Sequence, residues 1–201
     1  MEDTIVKKDR IVLESEVCFA CLYIEIWDRI IMAHTNGILS LWDGTSMTKL
    51  DSVEIPIDKA SESEDIAFSN KHELVISLFE WKIDIRKITP QGLSRQPIMT
   101  LSSLVSINAI LILDHIDCFL IGSNKIELWS FETLKPAGII DTESEGPIAE
   151  MIYIKKFNQL IVTTFGPNIL FYDLKKKLMR RKVHFRNEHW ANVIDFVEDQ
   201  I

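Results

Sequence analysis

The chain has 201 residues, 47% of them hydrophobic, and a formal net charge of −8. This composition is typical of a packed globular protein and excludes general disorder. The negative charge argues against a surface that binds nucleic acid or an anionic membrane throughout. The apolar stretches are about one β-strand long and are interrupted by charges, so no membrane helix is predicted.

Cysteine usage and the N-terminal residues indicate the compartment. The three cysteines, Cys18, Cys21 and Cys118, are odd in number and show no disulfide framework in their spacing, which fits a reducing environment. The N-terminal residues contain no apolar segment of the kind found in a secretory signal. We therefore expect a cytoplasmic protein, with cytoskeletal or nuclear association left open.

Taken in chain order, the predicted elements form a repeat of four units. Each unit holds an alternating strand, a short apolar strand, a second alternating strand and a fourth strand, with turn residues between them. The dipeptide Asn36-Gly37, for example, is a strong signal for a β-hairpin turn. The units cover residues 17–55, 64–101, 106–141 and 147–186.

The third strands of the units align on a shared motif. Its copies are LSLWD at 39–43, IDIRK at 83–87, IELWS at 126–130 and ILFYD at 169–173. The aligned central residues, which lie 44, 43 and 43 positions apart, are Leu41, Ile85, Leu128 and Phe171. Such regular spacing indicates a repeat architecture. The alternation within the motif predicts that Ser40, Asp84 and Glu127 lie on a more polar face of their strands.

The units resemble the blades of the WD40-repeat family of β-propellers, which hold four strands in about 40–45 residues. In that family the third strand often ends in Trp-Asp, as it does here at Trp42-Asp43. Trp129 keeps the aromatic residue, Tyr172-Asp173 keeps an aromatic residue and the aspartate, and the second unit keeps neither. No unit shows the Gly-His pair that often opens a family repeat. The resemblance implies an all-β propeller of four-stranded antiparallel blades.

Further strands are predicted near both ends of the chain, at about 10–14 and 190–197. They do not complete a fifth blade, so the four blades form an incomplete ring whose outer faces need a cover. Three solutions stay open: a second copy forms a ring of about eight blades, another chain supplies the missing blades, or the sequence is a fragment or a divergent closed ring. We expect a partner to complete the ring.

Positive charge is concentrated near the end of the fourth unit. The cations of this basic run are Lys175, Lys176, Lys177, Arg180, Arg181, Lys182 and Arg186. A run of this kind is typical of a solvated edge strand that resists pairing with other strands. It is also suited to contact an acidic protein surface, a polyanionic filament or a nucleic-acid backbone. These residues are the candidate partner-binding site.

No motif for catalysis or for binding a cofactor occurs in the sequence. It contains no glycine-rich phosphate loop and no Gly-x-Ser-x-Gly motif. Cys18 and Cys21 form a Cys-x-x-Cys pair, but residues three apart in a strand point to opposite faces, so we expect no metal site. His34 and His72 fall near predicted hairpin turns, where surface histidines are common.

The sequence therefore predicts a non-catalytic scaffold that binds other proteins, as a subunit of a larger assembly and without a cofactor. This step rests partly on analogy with other propellers. One alternative is a subunit that binds nucleic acid or another polyanion through the basic run at 175–186. A second alternative is an enzyme or small-ligand protein that uses the propeller channel, where Asn108 and Glu150 are the polar residues of mostly apolar inner strands.

Overall fold

The computed structural model describes residues 17–57, 65–79, 81–102, 106–142, 146–176 and 178–184. Within these ranges the fold is all-β, with short 3₁₀ turns and no α-helix. The strands form four antiparallel sheets, one for each unit of the repeat. The prediction of an all-β fold with repeated antiparallel sheets is therefore confirmed.

The strands of each sheet lie side by side in nearly the order in which they occur in the chain. The first sheet contains β1 (Cys18–Ile24), β2 (Arg29–His34), β3 (Ile38–Asp43) and β4 (Lys49–Glu54). The second contains β5 (Asp65–Ser69), β6 (Leu74–Phe79), β7 (Lys82–Thr89), β8 (Gly92–Leu93) and β9 (Met99–Ser102). The third contains β10 (Ala109–Leu113), β11 (Cys118–Gly122), β12 (Ile126–Ser130) and β13 (Pro136–Ile140). The fourth contains β14 (Ile148–Ile154), β15 (Gln159–Thr164), β16 (Asn168–Asp173) and β17 (Leu178–His184).

The second sheet departs from the four-strand plan. The start of β7 pairs with β9, and its end pairs with the two-residue strand β8 in a tight hairpin. The sequence predicts the fourth strand of this unit over 95–101, but β9 begins at Met99. That prediction is wrong at its start because the chain first forms the β8 hairpin and then returns to the sheet.

The same kind of turn joins the first two strands of every sheet. In the first, third and fourth sheets it is a 3₁₀ turn that ends in a left-handed residue, and in the second sheet a plain turn ends in the same way. These left-handed turn residues are Asp28, Glu73, Asp117 and Asn158. Asp and Asn tolerate this backbone conformation better than most residues do. Because the turns correspond, we number positions in each sheet back from its left-handed turn residue.

The sheets pack face to face in chain order and bury a separate core at each of three junctions. Fully buried residues include Ile31 and Val75 at the first junction, Ile76 and Phe119 at the second, and Leu120 and Leu160 at the third. The first strands β1, β5, β10 and β14 contact one another in succession, as inner strands do in a propeller. Within the described ranges no extensive contact joins the first sheet to the fourth, so no closed ring is seen there.

Each sheet presents a rear face to the sheet before it and a forward face to the sheet after it. At the centre of each face, three residues pair side by side across the first three strands. The forward rows are Leu22, Ile31 and Leu41; Ala67, Ile76 and Ile85; Leu111, Leu120 and Leu128; and Ile152, Ile161 and Phe171. The rear rows are Tyr23, Ile30 and Trp42; Phe68, Val75 and Arg86; Ile112, Phe119 and Trp129; and Tyr153, Leu160 and Tyr172.

Two predictions about polar residues are wrong. Ser40 and Asp84 are buried instead of lying on a wetter face, although Glu127 in the same register is partly exposed as predicted. His34 is fully buried instead of lying at the surface. The Ser40 hydroxyl accepts a hydrogen bond from Trp42 Nε1 over 2.8 Å and lies 2.8 Å from His34 Nε2. These contacts at the Ser40 hydroxyl offset part of the cost of burying Ser40 and His34. The predicted strands at 10–14 and 190–197 lie outside the described residues.

Candidate interaction surfaces

The basic run lies at an edge of the fourth sheet. Its edge strand, β17, pairs with β16, and within the described part of the chain no strand lies on its other side. The exposed cations before and along β17 are Lys175, Lys176, Arg180, Arg181 and Lys182. The structure thus brings five of the seven predicted residues together, while Lys177 and Arg186 lie outside the described residues.

The turn between β16 and β17 is closed by Asp173. Arg180 Nη2 forms an ion pair with Asp173 Oδ2, and the backbone N–H of Lys176 donates to Asp173 Oδ1 over 3.1 Å. The Arg180 hydrogen bond, followed by that of Lys176, lowers the pKa of Asp173 from its usual value. The charge of Arg180 is thus partly neutralised within the protein, whereas Lys175 and Lys176 are exposed.

Two lysines outside the predicted basic run extend it in the structure. Lys155 and Lys156 lie in the 3₁₀ turn between β14 and β15, and both are exposed. A backbone hydrogen bond from Leu174 to this turn holds it beside the turn that contains Lys175 and Lys176. We refer to these four lysines as the basic turn cluster. The sequence shows these two lysines beside a turn that the repeat aligns, but it does not show that this turn lies next to Lys175 and Lys176.

A cavity of about 300 Å³ lies where the basic turn cluster meets the third sheet. Its lining includes His115, Ile116, Tyr153, Lys155 and Lys175. The His115 and Tyr153 rings stack with their centroids 5.0 Å apart and their planes 15° apart. Burial and then the nearby carboxylate of the β16–β17 turn raise the pKa of Tyr153, so its hydroxyl stays protonated near neutral pH. An apolar surface beside two lysines suits an acidic segment with an apolar side chain.

The corresponding turn of the first sheet has the opposite charge. Glu25 is exposed there, and Asp28 accepts hydrogen bonds from the Thr45 hydroxyl over 2.5 Å and from the Tyr23 hydroxyl over 3.0 Å. These two hydrogen bonds lower the pKa of Asp28 from its usual value. The fourth sheet repeats the tyrosine contact, because the Tyr153 hydroxyl donates to the side chain of the turn residue Asn158 over 3.0 Å. The same local geometry therefore presents acids in the first sheet and lysines in the fourth.

The outer faces of the stack are the rear face of the first sheet and the forward face of the fourth. Their central row residues, Ile30 and Ile161, are partly exposed, whereas the six other row centres of the described sheets are fully buried. In the strand β1, Phe19 is 42% exposed and Tyr23 is 55% exposed. No further sheet of the described residues covers either outer face. Both outer faces therefore leave part of their apolar rows accessible to solvent.

The described ranges contain no group of three or more His, Cys, Asp or Glu residues that could hold a metal ion. Cys18 and Cys21 lie in β1 as predicted and are free cysteines. His72 Nε2 lies 2.9 Å from Asp117 Oδ1 and thereby helps to join the second sheet to the third. The two cysteines thus lie in the first strand of the first sheet, and His72 lies at a junction between sheets.

Polar groups of the inner strands make structural contacts. The Asp65 carboxylate accepts a hydrogen bond from the backbone N–H of Ile110 over 2.9 Å, which ties β5 to β10. Burial raises the pKa of Asp65 to about 6, and the charge of Glu150 adds to the shift. Asn108 lies just before β10 and donates to the carbonyl of Ile148 over 3.0 Å. Asp65 therefore links the second sheet to the third, and Asn108 links the third sheet to the fourth.

Comparison with protein-family models and with curated proteins finds no match to this chain. Within the described residues, no helix has the length and apolar character needed to cross a membrane.

Proposed function

We propose that this protein is a non-catalytic, WD40-like scaffold that mediates protein–protein interaction as a subunit of a larger assembly. Its incomplete ring is completed by a second copy or by another chain, and it uses no cofactor. The cytoplasmic location expected from the sequence belongs to the same proposal. The observation that carries it is the partial exposure of Ile30 and Ile161, at positions where the other faces of the described sheets bury their central residue.

The energetics of the stack support a binding role for these faces. Burying apolar surface is favourable by about 25 cal/mol per Å². Each interior junction gains this energy by covering one forward row and one rear row. The forward row of the fourth sheet, centred on Ile161, and the rear row of the first, centred on Ile30, retain the same apolar pattern. A partner that covers them gains the same kind of burial energy, less the entropy lost when two chains associate.

Affinity purification of the tagged chain from its native cells tests the proposal. Ile161→Lys places a charge at the centre of an outer face and should remove proteins that co-purify with the wild type. The matched control is Thr133→Lys, at an exposed position in a turn of the third sheet. Circular dichroism and thermal melting check that both variants fold. The same set of bound proteins in all three preparations would contradict the proposal.

A polyanion-binding or nucleic-acid-binding role is the second candidate, and the exposed cations of β17 together with the basic turn cluster favour it. Fluorescence anisotropy with a labelled single-stranded oligonucleotide, in competition with heparin, tests it over a range of salt concentrations. Replacing Lys175, Lys176, Lys177, Arg180 and Arg181 with glutamine should weaken binding and reduce its salt dependence. Unchanged affinity and salt dependence would exclude these residues as the contact.

A further inference from the structure

We infer that the forward face of the fourth sheet binds the rear face of the first sheet in a second copy of this chain. The inference rests on the proposed scaffold function and names the partner. Two copies that join head to tail in this way form both junctions at once. The grounds are the turn contacts at the interior junctions, because the two outer turns of the stack carry the matching halves of those contacts.

Aromatic contacts between the turn of one sheet and the first strand of the next occur at the first and third junctions. Trp27 of the first sheet packs edge-on against Phe68 of the second, with ring centroids 5.0 Å apart. His115 of the third sheet stacks on Tyr153 of the fourth at the same centroid distance. Phe68 and Tyr153 each lie five positions before the turn residue of their own sheet. At the first and third junctions the turn of one sheet thus covers this position of the next sheet, whereas His72 in the turn of the second sheet stacks on Phe131 of the third.

The junction between the second and third sheets adds a contact between charges. Lys71 Nζ lies 2.6 Å from Asp117 Oδ1, and the Lys71 backbone N–H donates to Asp114 Oδ2 over 3.2 Å. The Lys71 ammonium lowers the pKa of Asp117 from its usual value. The ammonium of a lysine two positions before one turn residue therefore pairs with the acidic turn residue of the next sheet. The backbone N–H of the same lysine donates to the acid that lies three positions before that turn residue.

The two outer turns carry the two halves of this charged contact. Lys156 lies two positions before the turn residue of the fourth sheet, where Lys71 lies in the second. In the first sheet, Asp28 takes the position that Asp117 has in the third sheet, and Glu25 takes the position of Asp114. Lys156 and Glu25 are both exposed. Charge complementarity therefore favours another first sheet as the occupant of the outer face.

The aromatic positions of the outer turns match in the same way. Tyr23 lies five positions before the turn residue of the first sheet and is 55% exposed, whereas a preceding turn packs against Phe68 and Tyr153 at that position. Phe157 takes the position of Trp27 in the fourth sheet and is 63% exposed. Packing of Phe157 on Tyr23 of a second copy repeats the aromatic contact of the first junction.

The same geometry limits the size of the assembly. Four sheets from each of two copies give a ring of about eight, which is the upper end of the usual propeller range. A head-to-tail contact that closes on itself produces a finite ring instead of a filament. In this ring the Ile161 row of each copy covers the Ile30 row of the other, so both outer faces are buried.

Charge reversal at exposed turn residues tests the inference without changing a core. Sedimentation velocity of the 201-residue chain measures its dissociation constant, and the wild type should be a dimer at micromolar concentration. Glu25→Lys and Lys156→Glu should each weaken association at least about tenfold, because each places like charges at both junctions. Lys135→Glu reverses an exposed charge on the third sheet and should leave the dissociation constant unchanged.

An equimolar mixture of the Glu25→Lys and Lys156→Glu chains is the most specific measurement. In a mixed head-to-tail pair both junctions join opposite charges, so the mixture should recover the wild-type dissociation constant. A wild-type chain that stays a 23.2 kDa monomer at high micromolar concentration would overturn the inference. A mixture that associates no better than its components would also overturn it. The scaffold proposal is judged separately, by whether Ile161→Lys removes a co-purifying protein.

Discussion

The first strands of the third and first sheets show what a preceding sheet contributes. Ile110 of β10 and Cys21 of β1 both lie seven positions before their turn residues. Ile110 is 6% exposed beneath the second sheet, whereas Cys21 is exposed. The two strands share their pairing pattern and their turn, so the neighbouring sheet causes the difference. Much of the stability of such a repeat resides at the junctions between units, and the predictions below compare interior with outer positions.

The largest effect is expected at the buried ion pair on the rear face of the second sheet. Arg86 and Asp84 are each 2% exposed, and Arg86 Nη1 also donates to the carbonyl of Ser94 over 2.9 Å. Arg86→Met leaves the Asp84 carboxylate buried without its cation, so the free energy of unfolding should fall by about 3–5 kcal/mol. Urea denaturation measures this loss.

The double variant Asp84→Ala, Arg86→Met is the control, because it removes both charges and should recover part of the lost stability. Trp42→Met changes the equivalent residue of the outer face and should cost less than Arg86→Met. A loss below about 1 kcal/mol for Arg86→Met would show that the interior ion pair is dispensable.

Two isoleucines at equivalent row centres give the most direct comparison. Ile76 is fully buried at an interior junction, and Ile161 is partly exposed on the outer face of the fourth sheet. Ile76→Ala should lower the free energy of unfolding by about 3 kcal/mol, because it leaves a cavity. Ile161→Ala should cost roughly half as much in the monomer, because less surface is lost from the core. Equal losses in urea denaturation would show that Ile161 is as well covered as Ile76.

Much of the fold was predictable because strand alternation and repeat spacing are local properties of the sequence. The predicted strands at 39–43 and 126–130 agree with β3 and β12 to within a residue. The β8 hairpin was missed because the two-residue strand Gly92–Leu93 is too short to alternate. Burial of His34 was missed because it depends on a side-chain contact with Ser40 across the neighbouring strand.

The candidate surfaces were less predictable because they depend on contacts between distant residues. The basic run was visible as a local concentration of charge at 175–186. Its extension to Lys155 and Lys156 depends on a backbone hydrogen bond from Leu174 to a turn of another hairpin. The pairing of Lys71 with Asp117 likewise requires two sheets to be stacked in a known register. No window of the sequence contains that information.

A smaller effect is expected from Asp65, which joins two interior sheets. Its pKa of about 6 in the folded state lies above the usual 3.8, so folding favours the protonated acid. The resulting stabilisation is complete below about pH 4 and is lost as the pH rises through 6, which should lower stability by about 2–3 kcal/mol. Asp65→Asn should flatten this part of the stability profile. Thermal melting from about pH 4 to 8 measures it, and an unchanged slope in the variant would assign the dependence to other groups.

The smallest change in stability is expected when the tyrosine hydroxyl that donates to a turn residue is removed from the fourth or the first sheet. Tyr153 is partly buried and donates to Asn158, whose Nδ2 donates in turn to Asp173 over 3.0 Å. Tyr153→Phe removes this hydrogen bond and should cost about 1 kcal/mol in urea denaturation. Tyr23→Phe removes the equivalent bond from an exposed turn and should cost less in the monomer. If Phe157 of a second copy covers Tyr23, the two losses should become similar in the dimer. If the two variants differ in stability by the same amount at all protein concentrations, no second copy covers Tyr23.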